Sequence, residues 1–248
     1  MCFIIPLGTG DLIHDSADTA LVGTIINAVE GNFIRGAIDA GFALSVQYLT
    51  PFSSTVPDSD VFQLNQLSSQ QQYVSFPVSA TLLSSSFTLS FWALPSTTQT
   101  LPSQSVTTSV TPAGEQPTFT SASSSADIGS NFGCSIAVAS NGIVVYISNN
   151  DMTFAPLVWQ GPISTWVYVT VTFTNNLPAL YINGVLQQTG LQVSSTVVFV
   201  PLYIGYSGSS PASYYNGAVD NFFGWNAGFN ASLVQTLYTQ KLSQGLAH

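Results

Sequence analysis

Trp166 to Gly190 reads WVYVTVTFTNNLPALYINGVLQQTG, a run without one charged side chain, and the whole chain follows suit. Only 5% of its 248 residues are charged, against about a quarter in ordinary globular proteins. Polarity must therefore come from Ser, Thr, Asn and Gln, and the run shows how. Val167, Val169, Val171 and Phe173 alternate with Tyr168, Thr170, Thr172 and Thr174, the period-two pattern of a half-buried strand. Threonine suits a strand and is polar, so the outer face does not require charge to be soluble.

Turn residues support the same reading. Asn183-Gly184 and Asn141-Gly142 each sit between alternating segments, as type I′ hairpin turns require. Further strands are expected in CFIIPL at the start, QQYVSFPV (71–78), SFTLSFWAL (86–94), STVVFVPLYIG (195–205) and AVDNFFGW (218–225). The clearest helix is the tail, with Asn230 as cap and Leu233, Val234, Leu237, Tyr238 and Leu242 as its apolar stripe. DTALVGTIINAV near residue 20 fits a helix, a strand or a loop. Residues 96–131, rich in Ser and Thr, read as a long decorated loop, since neither side of them carries enough strands to close a sandwich alone. One domain over 1–248 is expected. Cys134 alternates with Phe132, Ile136 and Val138 on an inward face; with Cys2 it forms either one long-range disulfide or two buried thiols.

Eleven carboxylates face only Arg35 and Lys241, a net charge of −9. Such a chain cannot assemble the basic face that nucleic-acid phosphates or an anionic membrane require. Its apolar stretches are broken by Glu30, Arg35, Asp39 and glycines, so no transmembrane helix is expected. The first residues lack the basic and apolar regions of a secretory signal. Extracellular or virion-surface display is expected, with export occurring before this sequence begins or through assembly into a virion.

The order of SFTLSFWALP (86–95), WVYVTVTFTNN with LYINGVL (166–176, 180–186), LYIGYS (202–207) and YYNGAVDNFFGWNAGFNASLVQTLY (214–238) resembles the laminin-G-like, pentraxin-related branch of the concanavalin A-like lectin and glucanase superfamily. Upstream, GTGDLIHDSADTALVGTIINAVEGNF resembles the family's opening, while residues about 40–62 look like an insertion. The resemblance implies an all-β fold, a jelly-roll sandwich of two antiparallel sheets with a short C-terminal helix. It also implies that Asp15 and Asp220 match aspartates that related domains use for a structural calcium; alternatively Asp220 hydrogen-bonds backbone amides in a turn. No other cofactor is expected.

Fold alone does not give function. Glycoside hydrolysis needs two facing carboxyl groups, yet Glu30 and Glu115 are the only glutamates and neither has an acidic neighbour at strand spacing. His14 and His248, the only imidazoles, have no nucleophile or metal-ligand partner in the sequence. No enzyme is expected. Tyr203, Tyr206, Tyr214, Tyr215 and Trp225 cluster in sequence; of these, Tyr214, Tyr215 and Trp225 are candidates to stack on sugar rings, against an ordinary core role. Asn230-Ala231-Ser232 is a glycosylation sequon whose Asn is also the expected cap.

Edge strands normally carry charged guards against strand-to-strand association, and this chain has few to spare. The leading expectation is thus a non-enzymatic structural subunit of a virion surface or extracellular assembly, a homo-oligomer or a neighbour of other subunits. The alternative is a glycan-binding, lectin-like adhesion module. A glycoside hydrolase is a distant third.

Overall fold

The computed structural model describes residues 2–5, 12–14, 22–26, 62–64, 73–75, 83–112, 114–150, 152–208 and 212–245. In chain order the strands are β1 (Cys2–Ile5), β2 (Leu12–His14), β3 (Val22–Ile26), β4 (Phe62–Leu64), β5 (Tyr73–Ser75), β6 (Leu83–Ser84), β7 (Phe87–Pro95) and β8 (Pro117–Ser121). They continue with β9 (Phe132–Ala139), β10 (Gly142–Ser148), β11 (Thr153–Gln160), β12 (Val167–Thr174), β13 (Leu177–Ile182), β14 (Val185–Thr189), β15 (Val197–Phe199), β16 (Pro201–Ile204) and β17 (Gly217–Trp225). A short helix α1 (Ser125–Ile128) follows β8, and α2 (Ala231–Gly245) closes the chain.

The strands form two sheets, as expected. The first runs β1-β17-β7-β12-β13-β14, with β4 also on β17; the second runs β11-β10-β9-β8-β16-β5-β3-β2, with β15 joining β9 and β6. All pairings are antiparallel except the short one of β15 with β9. Alternation decides what lies between the sheets. Val167, Val169, Val171 and Phe173 enter one apolar cluster with Phe87, Leu89 and Phe91 from the same sheet and Cys134, Ile136, Val138 and Phe199 from the other. Each such large side chain contributes about 1.5–3 kcal/mol on burial. The Cys134 thiol is free, and burial pushes its pKa well up, which leaves it a small inert core residue.

The opposite faces depart from a half-buried pattern. Tyr168, Thr170 and Thr172 are buried as completely as their inward neighbours. The reason is position: β7 and β12 lie mid-sheet, and α2 with the segment before it covers their outer face. Trp92, Trp166, Tyr168, Ala218 and Leu237 make a second apolar cluster there. Neutral hydrogen bonds fix the cover. The Thr88 hydroxyl donates to Ala227 O at 2.7 Å and accepts from the Phe229 amide at 3.0 Å, while the Ser90 and Tyr168 hydroxyls bond at 2.7 Å. On α2, Val234 and Leu237 face the sheet, whereas Leu233, expected in the same apolar stripe, is half exposed.

The second sheet is covered in a similar way by residues 96–112 and 114–116, from the first part of the expected loop, which lie as a strap on the outer face of β9, β10 and β11. Ala137, Val144, Tyr146 and Ala155 form an apolar patch against which Leu101, Val110 and Val158 pack. Ser105 and Ala155 exchange backbone hydrogen bonds of 2.9 and 3.1 Å, and Val110 N donates to Thr153 O at 2.8 Å. Gln99 and Asn141 hold each other through amide and backbone groups at 3.0 and 2.9 Å. The strap therefore guards the β11 edge without charge. The remainder of the expected loop is β8, α1 and the turn after it.

Asn183 and Gly184 adopt φ of 51° and 77°, the left-handed pair of a type I′ turn between β13 and β14. Asn141-Gly142 behaves differently: Ala139 pairs with Gly142, so the turn is Ser140-Asn141 and Gly142 already opens β10. Within the segment near residue 20, the described residues Val22–Ile26 form the strand β3, in keeping with their β-branched side chains. Residues 40–61 of the expected insertion and Asp15 lie outside the described residues.

Thr88 and Thr170 give opposite expectations for one substitution. Thr170 Oγ1 is buried with no hydrogen-bond partner among the described residues, so Thr170→Val is expected to be neutral or to stabilise by about 1 kcal/mol. Thr88→Val strands a carbonyl and an amide and is expected to cost about 1–3 kcal/mol. Urea denaturation of both variants checks the pair.

Candidate functional site

Seventeen described residues, on and around the outer side of the second sheet, line an open cavity of about 270 Å3 beneath one end of the strap. Its floor comes from alternation: Phe119, Cys134, Ile136 and Ile147 point into the core, which turns Thr120, Ser135, Ala137, Tyr146 and Ser148 outward. Strand pairing sets them side by side, with Ser135 opposite Tyr146. Thr111, Pro112 and Glu115 of the strap, Asn149 and Asn150 of the β10–β11 turn, and Ser207 and Gly208 complete the wall. Eleven of the seventeen lining residues carry a hydroxyl or an amide, set among apolar surface, a composition that can recognise polar groups by hydrogen bonds.

Glu115 is the exception and the one carboxylate among the described lining residues. Gln116 anchors it: its amide donates to Gln99 Oε1 at 3.0 Å, its carbonyl accepts from the Val138 amide at 3.0 Å, and its side-chain oxygen accepts from the Asn216 amide at 2.9 Å. Held so, Glu115 is only 8% exposed. Burial pushes its carboxyl up from 4.5 to about 7. The Tyr146 hydroxyl, in the same cavity, is raised by its own burial and further by the Glu115 charge, so it stays a neutral donor and acceptor.

Beside the cavity stands a group of four tyrosines. Tyr203 pairs with Thr120 across β16 and β8 and with Ser75 across β16 and β5, which brings Tyr73, two residues before Ser75, onto the same side. Tyr206 and Tyr214 form a backbone bridge, and their rings stack at 5.0 Å with 19° between planes. Tyr73 lies 4.8 Å from Tyr206 and 5.7 Å from Tyr203, ring centre to ring centre. All four are half-buried. Tyr203 and Tyr214 have raised pKa values, chiefly from burial and then from the neighbouring Tyr206 and Tyr73 phenols, so both remain uncharged hydroxyls. The group lies next to the cavity: the lining residue Thr120 pairs with Tyr203 and donates its hydroxyl to the Tyr206 main-chain carbonyl at 2.6 Å. Gly208, with φ of 68°, lies so close to Tyr203 that a Cβ would sit 2.8 Å from the ring.

The sequence candidates are distributed unevenly over this geometry. Tyr214 belongs to the group, together with Tyr203 and Tyr206. Tyr215 does not: it points the other way, is fully buried in the core and donates its hydroxyl to Ala218 O at 3.3 Å. Alternation along residues 214–215 makes one tyrosine outer and the next inner. Trp225 lies on the other sheet, 5.1 Å from Phe229 and 5.7 Å from Phe223, packed against the cluster under α2. Asp220 lies in β17 beside a register shift between Asp220 and Phe223. Among the described residues no three His, Cys, Asp or Glu side chains converge on a metal site. Asn230 is exposed, and its Oδ1 accepts from the Leu233 amide at 3.0 Å as the cap of α2. His14 lies in β2. Nothing local in the sequence marks Tyr73 or Glu115 as a ligand contact. Tyr73 becomes a partner only through the pairing of β5 with β16, and Glu115 only through the strap.

The family description Laminin_G_3, of the concanavalin A-like lectin/glucanases superfamily, matches residues 68–235, more than half of the chain. No curated protein matches in sequence. Among solved structures, domain 4 of AbnA, a GH43 extracellular arabinanase from Geobacillus stearothermophilus in complex with arabinotriose, is similar with a TM-score of 0.54 and 16% identity, over 90% of this chain and 91% of that one. The binding domain of botulinum neurotoxin DC, in complex with rat synaptotagmin II, gives a TM-score of 0.58 at 16% identity over 96% of this chain. The chain spans 51% of the length of that neurotoxin domain. At such identities the likeness is one of fold. No described helix is long and apolar enough to cross a membrane.

The raised carboxyl makes stability depend on pH. The folded chain holds the Glu115 proton more tightly than the unfolded chain, so this stabilisation is complete below about 4.5 and is lost as pH rises to about 7. Glu115→Gln removes the titration. The stability of the variant relative to the parent is expected to rise between pH 4.5 and 7, by up to about 3 kcal/mol, and to level off above. Thermal melts of both proteins from pH 4 to 8 check it.

Proposed function

We propose that this chain, which belongs to the concanavalin A-like lectin/glucanase superfamily, works outside the cell as a non-catalytic glycan-binding module. The observation that carries the reading is the contiguity of the tyrosine group with a cavity walled by hydroxyls and amides. Sugars offer two surfaces, an apolar face of C–H groups and an equator of hydroxyls. Aromatic rings take the first while keeping a polar tip in water, and fixed amide and hydroxyl groups take the second. A single described carboxylate in the cavity favours binding over hydrolysis, which takes two. The arabinotriose complex of the arabinanase domain is further support, as a sugar bound by a domain of this fold.

Binding needs no conformational work in this arrangement. Strand pairing and the Ser207–Gly208 segment hold the tyrosines, and the Gln116 bonds hold the strap. Pre-ordered side chains lose little entropy when a ligand docks. Tyr206→Ala is expected to weaken glycan binding by about tenfold or more, equivalent to about 1.4 kcal/mol, while Trp225→Phe, on the other sheet, leaves it unchanged. Screening on a broad glycan array followed by calorimetry checks this; an array without hits overturns the reading.

A second reading, structural subunit of a virion surface or extracellular assembly, draws on β14. This edge strand carries no charge, and its Val185 and Leu186 are about half exposed. An uncharged, exposed edge is a template for pairing with a second copy of the chain. Light scattering across concentration and pH is expected to show oligomers that Leu186→Lys disperses; monomers throughout overturn it.

A further inference from the structure

We propose that the cavity selects uncharged, hydroxyl-rich saccharides, and that Glu115 reads them by accepting hydrogen bonds from sugar hydroxyls while turning acidic sugars away. The proposal rests on the glycan-binding reading and assigns its specificity.

Glu115 lines the cavity nine-tenths buried, and no hydrogen bond from a described residue reaches its carboxyl. The neighbouring strap residues are tied, Gln116 by three hydrogen bonds and Gln99 by its own set. The structure has thus invested in holding this carboxylate at the cavity wall without giving it an internal partner. An ionised carboxyl in that position is an acceptor in want of donors. Adjacent sugar hydroxyls supply two, and such charge-assisted bonds are stronger than neutral ones.

Charge decides what is rejected. None of the described lining residues is basic, and the entire chain has only Arg35 and Lys241. A uronate or sialate carboxylate entering the cavity would meet the Glu115 charge with no described cation between them, in a pocket where water screens poorly. An uncharged saccharide meets hydroxyls, amides and the Glu115 acceptor, with no like charge to oppose it.

The same geometry couples binding to protons. Sugar hydroxyls favour the ionised form of Glu115, so a ligand lowers its pKa and expels its proton when the free site is protonated. Affinity then rises with pH from 5.5 to 8. The one other titratable group among the described lining residues is Tyr146, on the β10 floor, and its raised pKa keeps it neutral over that range.

The test uses the full chain on an array of neutral arabino-, xylo-, gluco- and galacto-oligosaccharides beside sialylated and uronic-acid glycans, at pH 5.5 and 8. Calorimetry of the best hit follows, on the parent, Glu115→Gln and Tyr206→Ala. Neutral glycans are expected to bind, about fivefold or more tightly at pH 8 than at pH 5.5. In Glu115→Gln the ratio falls to near one and affinity at pH 8 drops, while Tyr206→Ala loses affinity equally at both pH values. Preference for acidic glycans, or a pH ratio that survives Glu115→Gln, overturns the assignment. Binding to neutral glycans that needs Tyr206 but ignores both Glu115 and pH overturns it too and leaves the glycan-binding reading standing; no binding to any glycan removes both. Because the pH ratio is read on the parent protein, the result does not hinge on the variant folding.

Discussion

Hydrogen bonding between neutral side chains is the interaction on which the rest of this molecule depends. With so few charges, the polar contacts that fix the covers over the two described sheets come from hydroxyls and amides. Thr88 carries the segment leading to α2, Gln99 and Asn141 hold the strap, and Gln116 joins the strap to β9 and to residue 216. Neutral groups desolvate far more cheaply than ions, so both sheets can be buried on two faces and still satisfy their polar atoms. The cost appears where a partner is missing, as at Thr170 and the Trp92 indole nitrogen.

That same economy gives the site its character. In a protein with charge to spare, a buried carboxyl would be matched by a lysine or arginine. Here Glu115 stands opposite Tyr146 and a ring of hydroxyls, and its environment is set by burial more than by any counter-ion. The tyrosines alongside bring apolar surface and no charge at all. Recognition built from these parts is shape, stacking and directional hydrogen bonding, the combination by which polar but uncharged ligands are told apart.

Much of the framework was legible in the sequence, because strand alternation and turn residues are local. The core faces of β9 and β12, the Asn183-Gly184 turn and the Asn230 cap all followed from patterns a few residues long. What escaped depends on distant parts of the chain. Thr170 and Thr172 read as solvent-facing because nothing local says that α2 and its approach will cover them. Asn141 supports the strap with its side chain, a use that its Asn-Gly dipeptide does not suggest, whereas Asn175 and Asn176 form a left-handed turn without any glycine. At the site, one step of alternation separates Tyr214, in the outer group, from Tyr215, in the core. Proximity in sequence grouped Trp225 with them; the bilayer of sheets puts it on the other side.

The position of β17 has a consequence for how the molecule comes into being. This late strand lies in the interior of its sheet, with β7 on one flank and β1 and β4 on the other. β1 therefore has no partner strand to dock on until more than two hundred further residues have been made, whereas β2 and β3 pair through β5 in the other sheet. Closing such distant ends first costs chain entropy and slows folding. Until β17 arrives, β7 offers a bare, uncharged hydrogen-bonding rim, and nascent copies on one messenger are exposed to one another through it.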